Sequence, residues 1–395
     1  MKKTFLFILL SFLSYVGFSQ EIQLSTQAEI SIITVGQGKE LNDTWGHSAI
    51  RVVDRTNNID QVYNYGVYNW DTPNFYTKFA RGKLLYDLAN YPFYLFLESY
   101  RRQNREVVEQ VLQLSFSQKQ HYFNFLENNA KPENKKYLYD FFFDNCATKL
   151  RDVTTEVLGS NVNYKDELLQ DTFTFRDLIY QKLEFHPWSS FGIDIALGSV
   201  IDKKATPKQY TFLPEYVYKG FENAMILENG KETPLVKRTT VLYAKKDEKV
   251  QKSIFTPLFF FSIIAILVVF ITYKNYKDEK RTKWIDFLLL FITGAVGVVV
   301  LLLWLATDHS ATANNYNVFW AFLPNLFVSF TLLKNEPTPW FKKYVLMLIA
   351  LLLLTVILWI VKVQVFSIGL IPILFLLSVR YLYLYKISFD NTSKP

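Results

Sequence analysis

Hydrophobic and polar positions follow two regimes along this 395-residue chain. From residue 20 to 253 they are interleaved, and from 254 to 385 the sequence is mostly hydrocarbon broken by short polar loops. Five apolar stretches in the second regime are each about long enough to cross a bilayer: IFTPLFFFSIIAILVVFITY, WIDFLLLFITGAVGVVVLLLWLA, VFWAFLPNLFVSFTLL, YVLMLIALLLLTVILWIV and VFSIGLIPILFLLSVRYLYLY. The third is the shortest. The pattern predicts an all-α membrane domain of five transmembrane helices over 254–385, followed by a short tail over 386–395. In the first regime, IQLSTQAEISIITVG and HSAIRVVD are β-rich with partial alternation. QVYNYGVY, after the turn-like DRTNNID, reads as the return strand of a hairpin.

Helices are expected next. SFSQKQHYFNFLENN has Ser117 and, three residues on, Gln120, a capping-box spacing, and its pattern breaks at Lys131-Pro132. Another helix is predicted to start within DNCATKLRD. Asp144 or Asn145 caps it, Leu150, Val153 and Val157 share a face with Cys146, and Gly159 ends it. The fold class expected for 20–253 is α+β, with no internal repeat and no low-complexity tract.

The first residues and the loop charges add a topology. MKKTFLFILLSFLSYVGFSQ has two lysines, a short apolar core, and Gly17 and Ser19 at positions −3 and −1 of a cut before Gln20. It reads as a cleavable signal peptide over 1–19, with an uncleaved membrane anchor as the alternative. KNYKDEKRTK carries five basic residues and KNEPTPWFKK three, whereas TDHSATANNY carries none. The positive-inside rule then places the first two loops in the cytoplasm. Residues 20–253 and the 307–316 loop face the periplasm, and the C-terminus with Arg380 and Lys386 lies inside. The expected location is the inner (cytoplasmic) membrane. The net charge of +7 is partly accounted for by these anchoring loops and implies no nucleic-acid partner.

Candidate chemistry centres on Cys146, the only cysteine. At the first turn of a helix, unpaired N–H groups and the helix dipole favour its thiolate. Filling core space is the alternative for a free cysteine, but a lone thiol in an oxidising compartment is a liability. A nucleophile needs a base. His121 is placed mid-helix and His186 precedes Pro187-Trp188, so both read as surface or packing residues. His47 begins a strand directly after Gly46, where a rigid strand end can hold an imidazole. Arg101, Arg102 and Arg105 follow the aromatic run YPFYLFL and would meet lipid phosphates or form a solvated basic face. His309 and Asn314, near Asp308 and Asn317, would position a headgroup or an acceptor amine, or form a solvated turn. One cysteine and four scattered histidines give no metal-ligand cluster, and no glycine pattern resembles a phosphate loop. Neither metal nor cofactor is expected.

WGHSAIRV, followed about 100 residues later by a helix starting NCATKLRD, resembles the circularly permuted NlpC/P60 papain-like fold, which includes the lecithin:retinol acyltransferase-like enzymes. That resemblance implies a third polar residue on the strand after the histidine. Asn64 in VYNYG is the candidate, with Asn69 or a backbone carbonyl as alternatives. A wider resemblance rests on WGHSAIRVVD, VYNYGVYN, FARGKLLYDL, FFFDNCATKLRD, TFLPEYVYKGFENA and the five-span tail. These are similar to the family with an Lnb-type N-terminal periplasmic domain, the lipoprotein N-acyltransferases of Bacteroides-like bacteria. The resemblance implies an enzyme that moves an acyl chain from a membrane phospholipid, through a thioester on Cys146, to the amine of a diacylated lipoprotein. The residues alone give only a candidate Cys/His site on an outward-facing domain tethered to a bilayer. They leave open a cell-wall cysteine amidase or peptidase, and a non-catalytic envelope binding or sensor protein.

Overall fold

The structure is a computed structural model describing residues 22–166, 172–228, 230–248, 253–334 and 339–390. The expected signal peptide and its cut before Gln20 lie outside the described residues. Among the described residues, ten strands form two antiparallel sheets. The larger contains β1 (Glu29–Val35), β2 (His47–Asp54), β3 (Ile59–Val67), β4 (Leu85–Pro92), β5 (Val107–Leu112), β6 (Lys136–Leu138) and β10 (Val236–Tyr243), in the order β10-β5-β1-β2-β3-β4-β6. The smaller contains β7 (Val162–Asn163), β8 (Met225–Glu228) and β9 (Lys231–Pro234). The hairpin expected from sequence is β2–β3, with Ile50 opposite Tyr63 and Asp54 opposite Ile59.

Four helices between these strands are α1 (Phe75–Ala80), α2 (Phe93–Arg102), α3 (Phe116–Asn129) and α4 (Cys146–Leu158). Both faces of the large sheet are covered. Ile30, Ile32, Ile50, Val52, Tyr63 and Tyr65 pack with residues of α3 and α4, while Ile33, Val35, Ala49 and Val62 pack with Phe93 and Phe96 of α2. Double coverage explains why the alternation in β1 is only partial: a strand buried on both sides has no polar face to show.

The α3 cap is a correction. The N-cap is Ser115, whose Oγ accepts from the Gln118 N–H while Gln118 Oε1 accepts from the Ser115 N–H, so the capping box lies two residues before the expected Ser117/Gln120 pair. Both registers have the S-x-x-Q spacing. Gln120 is instead occupied by the N-terminal segment, its Oε1 accepting from Leu24 N–H and its Nε2 donating to the Ile22 carbonyl.

Among the helices that precede the apolar half are α5 (Pro187–Ala196) and α6 (Pro214–Asn223). There, four helices among the described residues are long and apolar enough to cross a membrane: α7 (Pro257–Lys277), α8 (Lys283–Leu305), α9 (Pro339–Ile360) and α10 (Ile371–Asp390). The third expected span is not a continuous helix. It consists of a short α-turn, Asn325–Val328, and flanking 3-10 turns, Tyr316–Val318 and Ser329–Leu333. Pro324 withholds an N–H from any helix through this segment, and α8 is shaped to receive bare backbone. A Cβ on Gly294 would lie 2.1 Å from Leu326 N, and one on Gly297 2.1 Å from the Ala321 carbonyl oxygen. Asn325 Nδ2 donates to Thr293 Oγ1 (3.1 Å), Phe330 meets Phe287 (5.3 Å), and Arg281 donates to the Leu332 and Lys334 carbonyls. The broken segment therefore runs antiparallel along α8. Irregular backbone is tolerated at membrane depth when protein satisfies it.

The apolar half is docked onto the sheet domain. Trp188 Nε1 in α5 donates to the Phe255 carbonyl (2.9 Å), and Phe191 meets Phe261 (5.2 Å). Asn315 Nδ2 donates to the Ile195 and Ala196 carbonyls, and Asn317 Nδ2 to the Asp194 carbonyl. Gly198 N–H reaches the Ala311 carbonyl in a contact so close that a Cβ there would sit 1.9 Å from the Ala313 oxygen.

Candidate active site

Local sequence places the thiol at the first residue of α4. Asn145 is the N-cap, its Oδ1 accepting from the Ala147 and Thr148 N–H groups at 2.8 and 2.9 Å, and Thr148 Oγ1 accepts from Asn145 N–H. Such a cap contributes about 1 kcal/mol. Asn145 Nδ2 also donates to the Phe141 and Phe212 carbonyls, tying the helix start to two neighbouring segments. Leu150, Val153 and Val157 are buried, and Gly159 closes the helix at φ +57°. His47 is the first residue of β2, three residues before the first β2–β3 pair.

The sheet register brings the distant parts together. His47 lies beside the Cys146 thiol, close enough for the charge of each to act on the other, and its Nε2 lies 2.6 Å from Asn64 Oδ1 on β3. An amide oxygen accepts only, so Nε2 carries the proton and Nδ1 is the nitrogen left for sulfur. Asn64 is itself held, its Nδ2 donating to Tyr91 Oη at 3.0 Å. The imidazole lies against Tyr100 (6.1 Å, 28°) and Phe96 (6.3 Å).

Electrostatics follow from this packing. Burial by itself pushes the Cys146 thiol up, but the His47 charge and hydrogen bond, with the backbone N–H groups of Ser48 and of Cys146, bring it below its ordinary value. Burial likewise favours neutral His47. The Cys146 charge, its hydrogen bond and that of Asn64 outweigh this, and the imidazole is raised above its usual value. The two shifts share one cause, since each group's charge favours the charged form of the other.

Gly66 is a residue that sequence reasoning passed over. It sits at φ +87° within the β3–β4 irregularity between Asn64 and Val67, and a Cβ there would lie 3.3 Å from Cys146 Cβ. A glycine two residues after the imidazole's partner, inside a strand pattern, is the signal that pointed to it. Gly66→Ala is expected to slow reaction of Cys146 with a small alkylating ester at least 10-fold, with strain of about 1–3 kcal/mol in unfolding. Unchanged alkylation kinetics would show that the thiol has room to move.

Tyr91, Tyr100 and the Ser48 N–H were also missed, because their roles depend on register. Tyr137 Oη is buried without a hydrogen-bond partner among the described residues, near enough for the Cys146 charge to raise its pKa, although burial is the larger cause.

The other expected site residues lie elsewhere. Arg102 pairs with Glu98 (3.0 Å), and Arg101 lies over the Tyr243 ring (5.8 Å), both at the end of α2. Arg105 is the buried one, its Nε donating to the Gly36 carbonyl and its guanidinium lying over Tyr100. His309 Nε2 lies 3.1 Å from the Phe79 carbonyl of α1. Asn314 is exposed, at φ +54°, with its carbonyl accepting from Ser199 N–H. Their loop reaches the thiol hairpin through Ser310, whose Oγ donates to Asp140 Oδ2 (2.7 Å); the Asp140 backbone pairs with that of Asp144. No group of three or more His, Cys, Asp or Glu able to hold a metal occurs among the described residues. A cavity of about 580 Å³ opens beside Trp45 and Gly46, but neither Cys146 nor His47 lines it.

Residues 18–181 match the family model described as the Lnb N-terminal periplasmic domain, and residues 249–392 match that of the Lnb transmembrane domain. The chain belongs to the Lnb family. The two matches cover most of the sequence, with Cys146, His47 and Asn64 in the first and His309 in the second. The Lnb domains point to a membrane-associated lipoprotein-modifying protein. No curated protein and no solved structure matches the chain.

Proposed function

We propose that this Lnb-family protein is a lipoprotein N-acyltransferase working through a thioester on Cys146. The observation that carries the reading is the juxtaposition of Cys146 with His47, whose ring is held by Asn64, walled by aromatic rings and joined to the membrane half by Ser310. The order of a histidine strand, an asparagine strand and a cysteine helix supports a permuted papain-like site.

In the first half-reaction the Cys146 thiolate attacks an acyl ester carbonyl of a phospholipid, and the ester C–O bond breaks. His47 delivers its proton to the departing lysolipid oxygen. In the second, the N-terminal amine of a diacylated lipoprotein attacks the thioester, His47 takes the amine proton, and the C–S bond breaks to restore the thiolate. Water at about 55 M competes for the thioester, so transfer needs an apolar enclosure. Apolar grooves of about 510 and 550 Å³ flank Ile371 and Phe375 at the end of α10 nearest the sheet domain, and they suit the acyl chains of a bilayer-embedded acceptor. The basic loops support a cytoplasmic placement for the α7–α8 turn, with the thiol on the periplasmic side of the inner membrane.

The lone cysteine makes one experiment decisive. In spheroplasts, a membrane-impermeant maleimide should label Cys146 only after hydroxylamine has cleaved the thioester, and intact mass before treatment should show an added fatty acyl group. Labelling that requires lysed cells would reverse the topology. Unmodified Cys146 in protein purified with phospholipid, together with release of soluble cell-wall fragments, would replace transfer by hydrolysis.

A further inference from the structure

Helix α1 and the residues around it are not used by the thiol site as described. They present Trp70, Tyr76 and Phe79, which are 62, 77 and 53% exposed. Three large aromatic side chains exposed within ten residues form a patch that water does not favour. The neighbour of this patch is the membrane half. Asp308 N–H donates to the Arg81 carbonyl (2.9 Å), Lys83 Nζ lies 3.6 Å from Asp308 Oδ2, and His309 Nε2 meets the Phe79 carbonyl. Gly82, at φ +69°, lets the two backbones touch, since a Cβ there would lie 3.2 Å from His309 N.

This contact limits how far α1 can stand from the membrane. Asp308 is three residues past Leu305, the last residue of α8. A chain spans at most about 3.3–3.6 Å per residue, so the end of α1 lies within roughly 10–15 Å of the end of that span. The headgroup layer is about 5–8 Å deep on each side, and it is where Trp and Tyr concentrate in membrane proteins. Arg81, exposed, adds positive charge beside the aromatic side chains, which fits lipid phosphates, whereas the Lys83 charge is shared with Asp308.

From α1 an aromatic path leads inward. Phe79 stacks with Phe75 (6.3 Å), Phe75 meets Tyr68 (5.7 Å), Tyr68 meets Tyr86 (5.5 Å), and Tyr86 stacks with Tyr139 (4.3 Å). The Tyr139 ring lies 3.6 Å from the Cβ position of Gly66, the residue packed against Cys146. We infer that residues 68–83 dock on the outer leaflet of the membrane the protein itself spans, and that the aromatic path guides a leaflet phospholipid's acyl ester to Cys146. Docking stands on the geometry of α1 and the 308–309 loop; guidance rests on the acyl-transfer reading.

Two measurements on the full-length protein in phosphatidylcholine/phosphatidylglycerol nanodiscs separate these parts. A bimane probe on Tyr76→Cys, in a Cys146→Ser background, should be quenched at least twice as strongly by lipids brominated near the headgroup end of the acyl chain as by aqueous iodide. Quenching by iodide alone would overturn docking. With Cys146 intact, the double variant Tyr76→Ser/Phe79→Ser should lower the ratio of thioester formation from bilayer phospholipid to that from a dispersed short-chain ester at least 10-fold. An unchanged ratio would overturn guidance. If neither ester loads Cys146 in the unsubstituted protein, the acyl-transfer reading fails, while the quenching result still decides docking.

Discussion

His47→Ala is expected to slow thioester formation at Cys146 by about 10³-fold, because the substitution removes both the charge that holds the thiolate and the acid that protonates the leaving lysolipid. Asn64→Ala should cost less, about 10²-fold, since it frees the ring without removing it. The pH profile distinguishes the two roles. The His47 charge brings Cys146 below the ordinary thiol value and the Cys146 charge brings His47 above the ordinary imidazole value, so each group favours the charged form of the other. Loading should rise with pH on the acid side as the thiol ionises and fall on the alkaline side as His47 becomes neutral. The Asn64 hydrogen bond helps raise His47, so Asn64→Ala should move the alkaline limb to lower pH. Stopped-flow loading from pH 5 to 10 checks this, and a His47→Ala protein with wild-type rates would exclude the pair as the reacting site.

Asp286→Leu is expected to destabilise the membrane half by about 3–5 kcal/mol, more than Arg380→Leu does. Asp286 and Arg380 are fully buried, with Arg380 Nε 2.6 Å from Asp286 Oδ1. Arg380 also donates to Thr272 Oγ1 and Asn275 Oδ1, so one guanidinium links α7, α8 and α10. Arg281 stands 3.6 Å from the other Asp286 oxygen. Losing the carboxylate leaves two guanidinium groups facing each other without a counter-ion, whereas losing Arg380 leaves Asp286 with Arg281. The double variant should recover part of the loss, because no unpaired carboxylate or central arginine remains. Thermal unfolding in detergent, followed by size-exclusion of the surviving fold, gives the order. An Asp286→Leu protein as stable as the parent would show that the network carries no structural role.

Much of the site's skeleton was legible in local sequence. The β2–β3 hairpin, the start of β2 at His47, the start of α4 at Cys146 and its Asn145 cap all follow from alternation, turn residues and capping chemistry. These signals have periods of two to four residues and need no partner from elsewhere in the chain. Four spans follow from hydrophobic length alone, because a bilayer imposes a minimum run of apolar residues.

Tertiary structure decided the rest. The meeting of His47 with Cys146 depends on how α4 lies against a sheet whose register is set by distant strands, and the same register puts Tyr91 behind Asn64. Between two equivalent S-x-x-Q frames, the structure caps α3 at Ser115 and leaves Gln120 to the N-terminal segment. The apolar run 318–333 has the composition of a span. Its broken backbone is stabilised by Gly294 and Gly297 on a neighbouring helix, a contact that hydropathy does not encode. His309 and Asn314 read as free polar groups in a loop until that loop is seen hydrogen-bonded to α1 and α5. Patterning along a chain records which side of an element is buried, whereas the partner that buries it is chosen only when the elements pack together.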